Sequence, residues 1–242
     1  MKLSPFATEF HEKGFVKLQQ LFKLSLIEQF FVELSNFEEK VPEFRQNKLE
    51  VGSFRFMASL PFKGIFSKSE FYAPELLMDL IHELIGEKII INSLGLVNAL
   101  PGAEMQHTHR DNPNLFEIGG PKMIERGLPY AITVGIPLVK TNNICGGTRF
   151  WPGSHLHADQ ESGIYEDVYC DQGDVILFDY RVLHCGLPNL SNHARPMIYN
   201  VYSRPWFRDN SNFVSLPALS IGADDLSEIP EKDRAMFNWA TG

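Results

Sequence analysis

The chain has 242 residues, 44% of them hydrophobic and 12% aromatic, the composition of a globular protein with a sizeable core. Its formal net charge of −8, with no cluster of Lys and Arg, argues against nucleic acid or an anionic membrane as partner, because both call for a dense basic surface. No apolar run approaches membrane-spanning length, the N-terminus lacks an apolar signal core, and Cys145, Cys170 and Cys185 have no zinc-site spacing, so a reducing, cytoplasmic setting is expected.

The first elements in chain order are helical. Ser4-Pro5 supplies an N-cap and a proline at the first helical position, and Gly14 is placed to end that helix. Phe15-Val16-Lys17-Leu18 reads as a short strand. A capping box, Ser25-Leu26-Ile27-Glu28, opens a second helix with Leu26, Ile27, Phe30, Phe31 and Leu34 at helical spacing. A third runs from Pro74 to Ile85, with Gly86 in the C-cap position.

From Lys88 onward the pattern changes to short β-rich segments. Strands are expected near Ile89–Ile91, Leu94–Leu100, Gln106–His109, Tyr130–Leu138, Thr148–Trp151, Glu166–Cys170, Val175–Phe178, Leu183–Cys185 and Pro196–Tyr202, with turn signals such as Pro101-Gly102, Pro152-Gly153 and Gln172-Gly173-Asp174 between them. This predicts a mainly β protein: a double-stranded β-helix, the jelly roll or cupin-like barrel, with the N-terminal helices packed on one sheet. No repeat or linker divides the chain, so residues 1–242 read as one domain: a mainly helical part (1–87), a jelly-roll core (88–202) and a C-terminal extension (203–242) ending in a helix near Pro230–Trp239. The extension carries Trp206, Phe207, Phe213, Leu216, Leu219, Ile221, Met236, Phe237 and Trp239, too many large apolar residues for a free tail. Its first part, about Arg204 to Phe213, is expected to flank a substrate entrance.

Four residues carry the chemistry. His109 and Asp111 in Gln106-His107-Thr108-His109-Arg110-Asp111, together with His184, form a two-histidine, one-carboxylate set that can occupy one face of an iron(II) ion and leave the other positions open. If His184 ends one strand and Arg195 begins its antiparallel neighbour, both point into one cavity, where a guanidinium pairs bidentately with a carboxylate, predictably that of 2-oxoglutarate. With 8 histidines in the chain, about 0.4 His-x-Asp matches are expected at random. There are two. His157-Ala158-Asp159 is set aside because it follows a turn run on polar sequence, and because the stretch from Asp111 to His184 accommodates about five strands whereas that from Asp159 does not. On a regular strand His107, His109 and Asp111 share one face, so a slip in register would let either histidine reach inward.

These motifs resemble the phytanoyl-CoA dioxygenase family of iron(II)/2-oxoglutarate oxygenases. The resemblance extends from Phe10-His11-Glu12-Lys13-Gly14-Phe15-Val16 to about Tyr202 and includes the His-x-Asp, the run Gly-Gly-Thr-Arg-Phe-Trp-Pro-Gly-Ser-His at 146 to 155, and Gly173-Asp174-Val175-Ile176-Leu177-Phe178 leading to His184 and Arg195. It implies His109, Asp111 and His184 as iron ligands, Arg195 as partner of the distal carboxylate of 2-oxoglutarate, and Asn98 and Thr133 as further co-substrate contacts. The family often has a hydroxyl residue where this chain has Gly186. The implied activity is hydroxylation, or a related desaturation or ring closure, of a small-molecule substrate with O₂, releasing succinate and CO₂. Because Asp111 fills the carboxylate position, no site is vacated for a halide. His107, Arg149, Arg204 and Trp206 are candidate substrate contacts. The competing readings are a metal-dependent cupin-like enzyme that uses no 2-oxoglutarate, and a catalytically silent binding or sensing module. The oligomeric state is not written in the sequence.

Overall fold

The computed structural model describes residues 3–112, 128–156, 163–209, 212 and 215–241. Helix α1 (Pro5–Lys13) starts where the Ser4 hydroxyl accepts from the Ala7 amide (3.1 Å) and stops at Gly14, whose φ of 86° is left-handed. Strand β1 (Phe15–Leu18) follows as expected. Helix α2 (Leu24–Lys40) begins one residue ahead of Ser25, with Lys23 as an N-cap that makes no side-chain bond, so the expected capping box does not form. Next come α3 (Pro42–Gln46), a hairpin of β2 (Leu49–Glu50) and β3 (Arg55–Ser59), a short α4 (Ser69–Tyr72), and α5 (Glu75–Ile85), closed at Gly86.

Strand β4 (Ile90–Ala99) is continuous where two strands were expected. Asn92 and Ser93, between the two expected strands, are both buried, and the Asn92 amide donates to Ser203 Oγ (2.9 Å) and the Phe207 carbonyl (3.0 Å). The remaining strands are β5 (Ala131–Pro137), β6 (Thr148–Phe150), β7 (Glu166–Val168), β8 (Val175–Asp179), β9 (His184–Gly186) and β10 (Arg195–Ser203). Gln106–His109 is not a strand. It contributes one isolated bridge, His109 to His184.

Pairing is antiparallel throughout, in a seven-stranded sheet ordered β1-β8-β5-β10-β4-β3-β2 and a three-stranded sheet ordered β7-β6-β9. The large sheet therefore recruits β1, β2 and β3 from the part of the chain read as mainly helical. One of its faces packs on the helices: Ile132, Val134 and Ile136 of β5 and Ile198 of β10 share a core with Phe30 of α2 and with Leu77, Ile81 and Leu84 of α5. The other face meets the small sheet through Ile176, Phe178 and Met197 against Phe150 and Val168. The extension adds α6 (Ala223–Glu228) and two 3₁₀ turns, Glu231–Met236 and Asn238–Ala240, in place of the expected single helix. Phe237 is fully buried against Phe62 and Tyr72, at ring distances of 4.9 and 5.0 Å. No described helix is long and apolar enough to cross a membrane.

Candidate metal centre

His184 is the first residue of β9, and its backbone is tied reciprocally to His109: the His109 amide donates to the His184 carbonyl (3.0 Å) and the His184 amide to the His109 carbonyl (2.9 Å). This narrow antiparallel pair sets the two imidazoles side by side, 4.5 Å between centroids. Asp111 follows two residues later. Ligand atoms of His109, Asp111 and His184 all lie within 4.8 Å of one another, and His184 Nε2 stands 3.6 Å from Asp111 Oδ1.

Each of these side chains is oriented by its other polar atom. Nδ1 of His109 faces the His107 carbonyl at 2.9 Å and Nδ1 of His184 faces the Val182 carbonyl at 3.1 Å. A carbonyl can only accept, so both protons reside on Nδ1 and both Nε2 lone pairs are left for a metal. Thr133 Oγ1 donates to Asp111 Oδ2 (2.8 Å), leaving Oδ1 facing the histidines. Burial, with the His184 imidazole beside it, lowers the pKa of His109 to about 4, and burial alone does the same for His184. Both are thus neutral and ready to ligate at neutral pH. Burial raises Asp111 to about 6, opposed by the neighbouring His109 and the Thr133 hydrogen bond. Two neutral imidazoles and a carboxylate on one face fit iron(II) or a similar divalent transition ion.

The triad opens on a cavity of about 440 Å³. Behind the cavity wall, at Gly186, lies a second feature. Arg195 begins β10, Arg55 begins β3, and both pair with Ala99 of β4, so the two guanidinium-bearing side chains flank one residue on the same face of the sheet. Both are buried, at 5% and 2% exposure. Arg195 donates to the carbonyls of Cys145 (2.8 Å) and Leu187 (3.0 Å); Arg55 donates to those of Glu104 (2.7 Å) and, again, Leu187 (3.3 Å). Among the described residues no carboxylate pairs with either. Burial, reinforced by the neighbouring Arg195, depresses the pKa of Arg55 to about 10, and burial lowers that of Arg195. Two buried cations sharing a carbonyl form a ready anion site.

Gly186 lies on the cavity wall, and a Cβ there would stand 2.9 Å from Arg55 Nη1 and 2.5 Å from Gln106 Oε1. A hydroxyl side chain at that position would have to displace the ends of Gln106 and Arg55, and a guanidinium donor stands beside the glycine instead. Arg55 was not among the residues expected from the sequence. The available signal was a single arginine inside the apolar run Phe54-Arg55-Phe56-Met57-Ala58.

Thr133 and His107 line the cavity, His107 at its exposed mouth. Asn98 does not. Successive strand residues face opposite ways, so Val97 of β4 points into the cavity while Asn98 lines a separate small cleft with Glu38 and Lys48, which corrects its expected role as a co-substrate contact. Arg149 is likewise turned away: Thr148 faces the cavity, and Arg149 is held bidentately by Asp167 (2.6 and 2.9 Å) and stacks 3.6 Å over Tyr165. Arg204 donates to the Pro129 carbonyl (3.1 Å), Trp206 is 60% exposed beside Tyr130, and neither lines the cavity. The extension reaches the site through Asn212 instead, whose amide donates to the Asp111 carbonyl (2.7 Å). His157, Asp159 and Phe213 lie outside the described residues.

A jelly roll of two antiparallel sheets with a two-histidine, one-carboxylate face at one end of its cavity defines the class of a non-heme metal protein. Residues 10–197 match the model of the phytanoyl-CoA dioxygenase (PhyH) family, and the chain belongs to that family. A curated relative, the dioxygenase peniF of Penicillium patulum, is 27% identical over 112 residues, an alignment covering 43% of this chain and 36% of the relative. That match spans about a third of the relative's length. Among solved structures, the α-ketoglutarate-dependent epimerase SnoN from nogalamycin biosynthesis superposes with a TM-score of 0.66 at 15% identity, covering 87% of this chain and 84% of its own. HygX from Streptomyces hygroscopicus, solved with nickel, 2-oxoglutarate and hygromycin B, gives 0.67 at 14% identity over 92% of each chain. The carbocyclase SnoK from nogalamycin biosynthesis gives 0.66 at 18%, over 90% of this chain and 92% of its own. At these identities the likeness is one of fold.

Proposed function

We propose that the protein is an iron(II)- and 2-oxoglutarate-dependent oxygenase that oxidises an unactivated C–H bond of a small molecule. The observation that carries the reading is the triad itself, with both Nε2 lone pairs and one carboxylate oxygen left facing one point by hydrogen bonds to every other polar atom of the set. When bound, iron supplies activation of O₂ coupled to decarboxylation of 2-oxoglutarate to succinate and CO₂.

The chain's own residues do the rest. His109, Asp111 and His184 hold the metal, Thr133 fixes the carboxylate, and Arg195 with Arg55 beside it receives the distal carboxylate of the co-substrate. His184 and Gly186 are two residues apart on one strand, roughly 6.7 Å, a length that a five-carbon diacid bridges. Phe178, Tyr180 and Tyr199 wall the cavity and keep water from the reacting atoms. With Asp111 supplying the carboxylate, the outcome is hydroxylation, desaturation or ring closure rather than halogenation. The test is succinate release from 2-oxoglutarate under O₂ with iron(II) and ascorbate, across a panel of candidate substrates. Succinate formation that vanishes in His184→Ala supports the assignment; turnover independent of iron or of His184 defeats it.

A further inference from the structure

Resting on that reading, we propose that the substrate is an uncharged, largely hydrocarbon small molecule carrying a neutral oxygen function, seated against the β2–β3 hairpin. The cavity wall carries Leu49, Val51 and Met57 from the hairpin region, with Val97 of β4 and Val201 of β10. Leu49, Val51, Met57 and Val97 are half-buried and Val201 is buried, and Met57 adds a thioether that adapts to irregular shapes.

Charged substrates find no partner there. Among the described residues Asp111 is the only carboxylate on the cavity wall, and the proposed function commits it to the metal. No lysine or arginine is on that wall among the described residues. The nearby arginines are engaged elsewhere: Arg181 with Asp179 (2.7 Å), Arg149 with Asp167, Arg204 with Pro129, and Arg110 with the Ser154 carbonyl (2.9 Å). Arg55 and Arg195 serve the co-substrate. The phosphates of an acyl-CoA, or the ammonium and carboxylate of a free amino acid, would leave water with nothing to replace it. What the mouth does offer among the described residues is the His107 imidazole, since the Asn212 amide already donates to the Asp111 carbonyl and to Asp209. A hydroxyl or other neutral oxygen matches that imidazole. About 440 Å³ must also hold the co-substrate, which restricts the substrate to a compact, ring-sized body.

The experiment starts from protein loaded anaerobically with iron(II) and 2-oxoglutarate, whose visible charge-transfer band shifts when a substrate-like molecule enters the cavity. The probes are menthol and camphor as neutral compounds, octanoyl-CoA and L-leucine as charged ones. The neutral probes are expected to shift the band saturably while the charged ones leave it unmoved at equal concentration. Leu49→Glu should weaken the neutral probes at least tenfold while the band still forms at the same 2-oxoglutarate concentration, and Leu49→Met should restore them. The proposal is overturned if octanoyl-CoA or L-leucine acts at lower concentration than the neutral probes, if no neutral probe shifts the band, or if Leu49→Glu has no effect. Should no band form at all, the cofactor reading fails instead, and calorimetric titration of the same probes into the metal-free protein still decides the substrate class.

Discussion

Along β10 the even-numbered residues Ile198 and Tyr202 face the helices, while Met197 faces the small sheet, Tyr199 and Val201 line the cavity, and Arg195 falls on that same side by alternation. The helix-facing side is finished as a core: Tyr202 is fully buried with its hydroxyl donating to the Tyr72 carbonyl (2.7 Å), and Phe237 of the extension closes the same cluster. The other side carries Arg195, which with Arg55 has no carboxylate partner among the described residues, and it looks toward the His109, Asp111 and His184 set. In the proposed function one strand thus divides its labour by parity, stabilising the fold with one set of side chains and serving the co-substrate with the other.

That division can be broken from either side. The largest effect is expected at Phe237→Ala, which should cost about 3–5 kcal/mol of stability by cavity formation, read from chemical denaturation. Its 2-oxoglutarate affinity, measured below the unfolding transition, should stay within a factor of two. Arg195→Ala on the opposite face should lose about 2–5 kcal/mol of co-substrate binding, with iron(II) binding in its absence unchanged, and Arg195→Lys should fall between because the planar fork is lost. Calorimetry with 2-oxoglutarate separates the three proteins; affinity that survives Arg195→Ala would pass the role to Arg55.

A smaller loss is expected at Thr133→Val, which frees Asp111 Oδ2 and should weaken iron(II) binding by about 10- to 100-fold without moving the melting temperature by more than a few degrees. The smallest effect concerns pH. Burial, acting first, depresses the fully enclosed His155 to about 4. The unfolded chain therefore binds a proton that the folded chain refuses between about 6.5 and about 4, and stability is lost as pH falls through that window. In metal-free protein, denaturation midpoints should drop over this range, and His155→Gln should flatten the slope. An unchanged slope would assign the loss to other groups.

Much of this was legible beforehand, for identifiable reasons. Ser4-Pro5 and Gly14 bound α1 because local capping chemistry decides those positions, and His109, Asp111 and His184 came together because order and spacing fit one topology. What escaped depended on tertiary context. The break expected between Ile91 and Leu94 does not occur because Ser203 and Phe207 satisfy the buried Asn92 amide, which a sequence does not show. The co-substrate role that the resemblance implies for Asn98 does not fit because the parity of β4, settled by its partners on β3 and β10, turns that side chain from the cavity. The β2–β3 hairpin, and Arg55 with it, was missed because Leu49–Glu50 is too short to show alternation. Arg149 was a plausible substrate contact until Asp167, across the β6–β7 pair, claimed it.

The central claim is that His109, Asp111 and His184, and not His107 or the second His-x-Asp, form the metal-binding face. The most direct measurement is anaerobic titration of iron(II) into protein with saturating 2-oxoglutarate, following the visible charge-transfer band. The account predicts one equivalent of band in the native protein and in His107→Ala, His157→Ala and Asp159→Ala, and none in His109→Ala, Asp111→Ala or His184→Ala. A band that persists in any of the last three, or disappears in any of the first three variants, would contradict it.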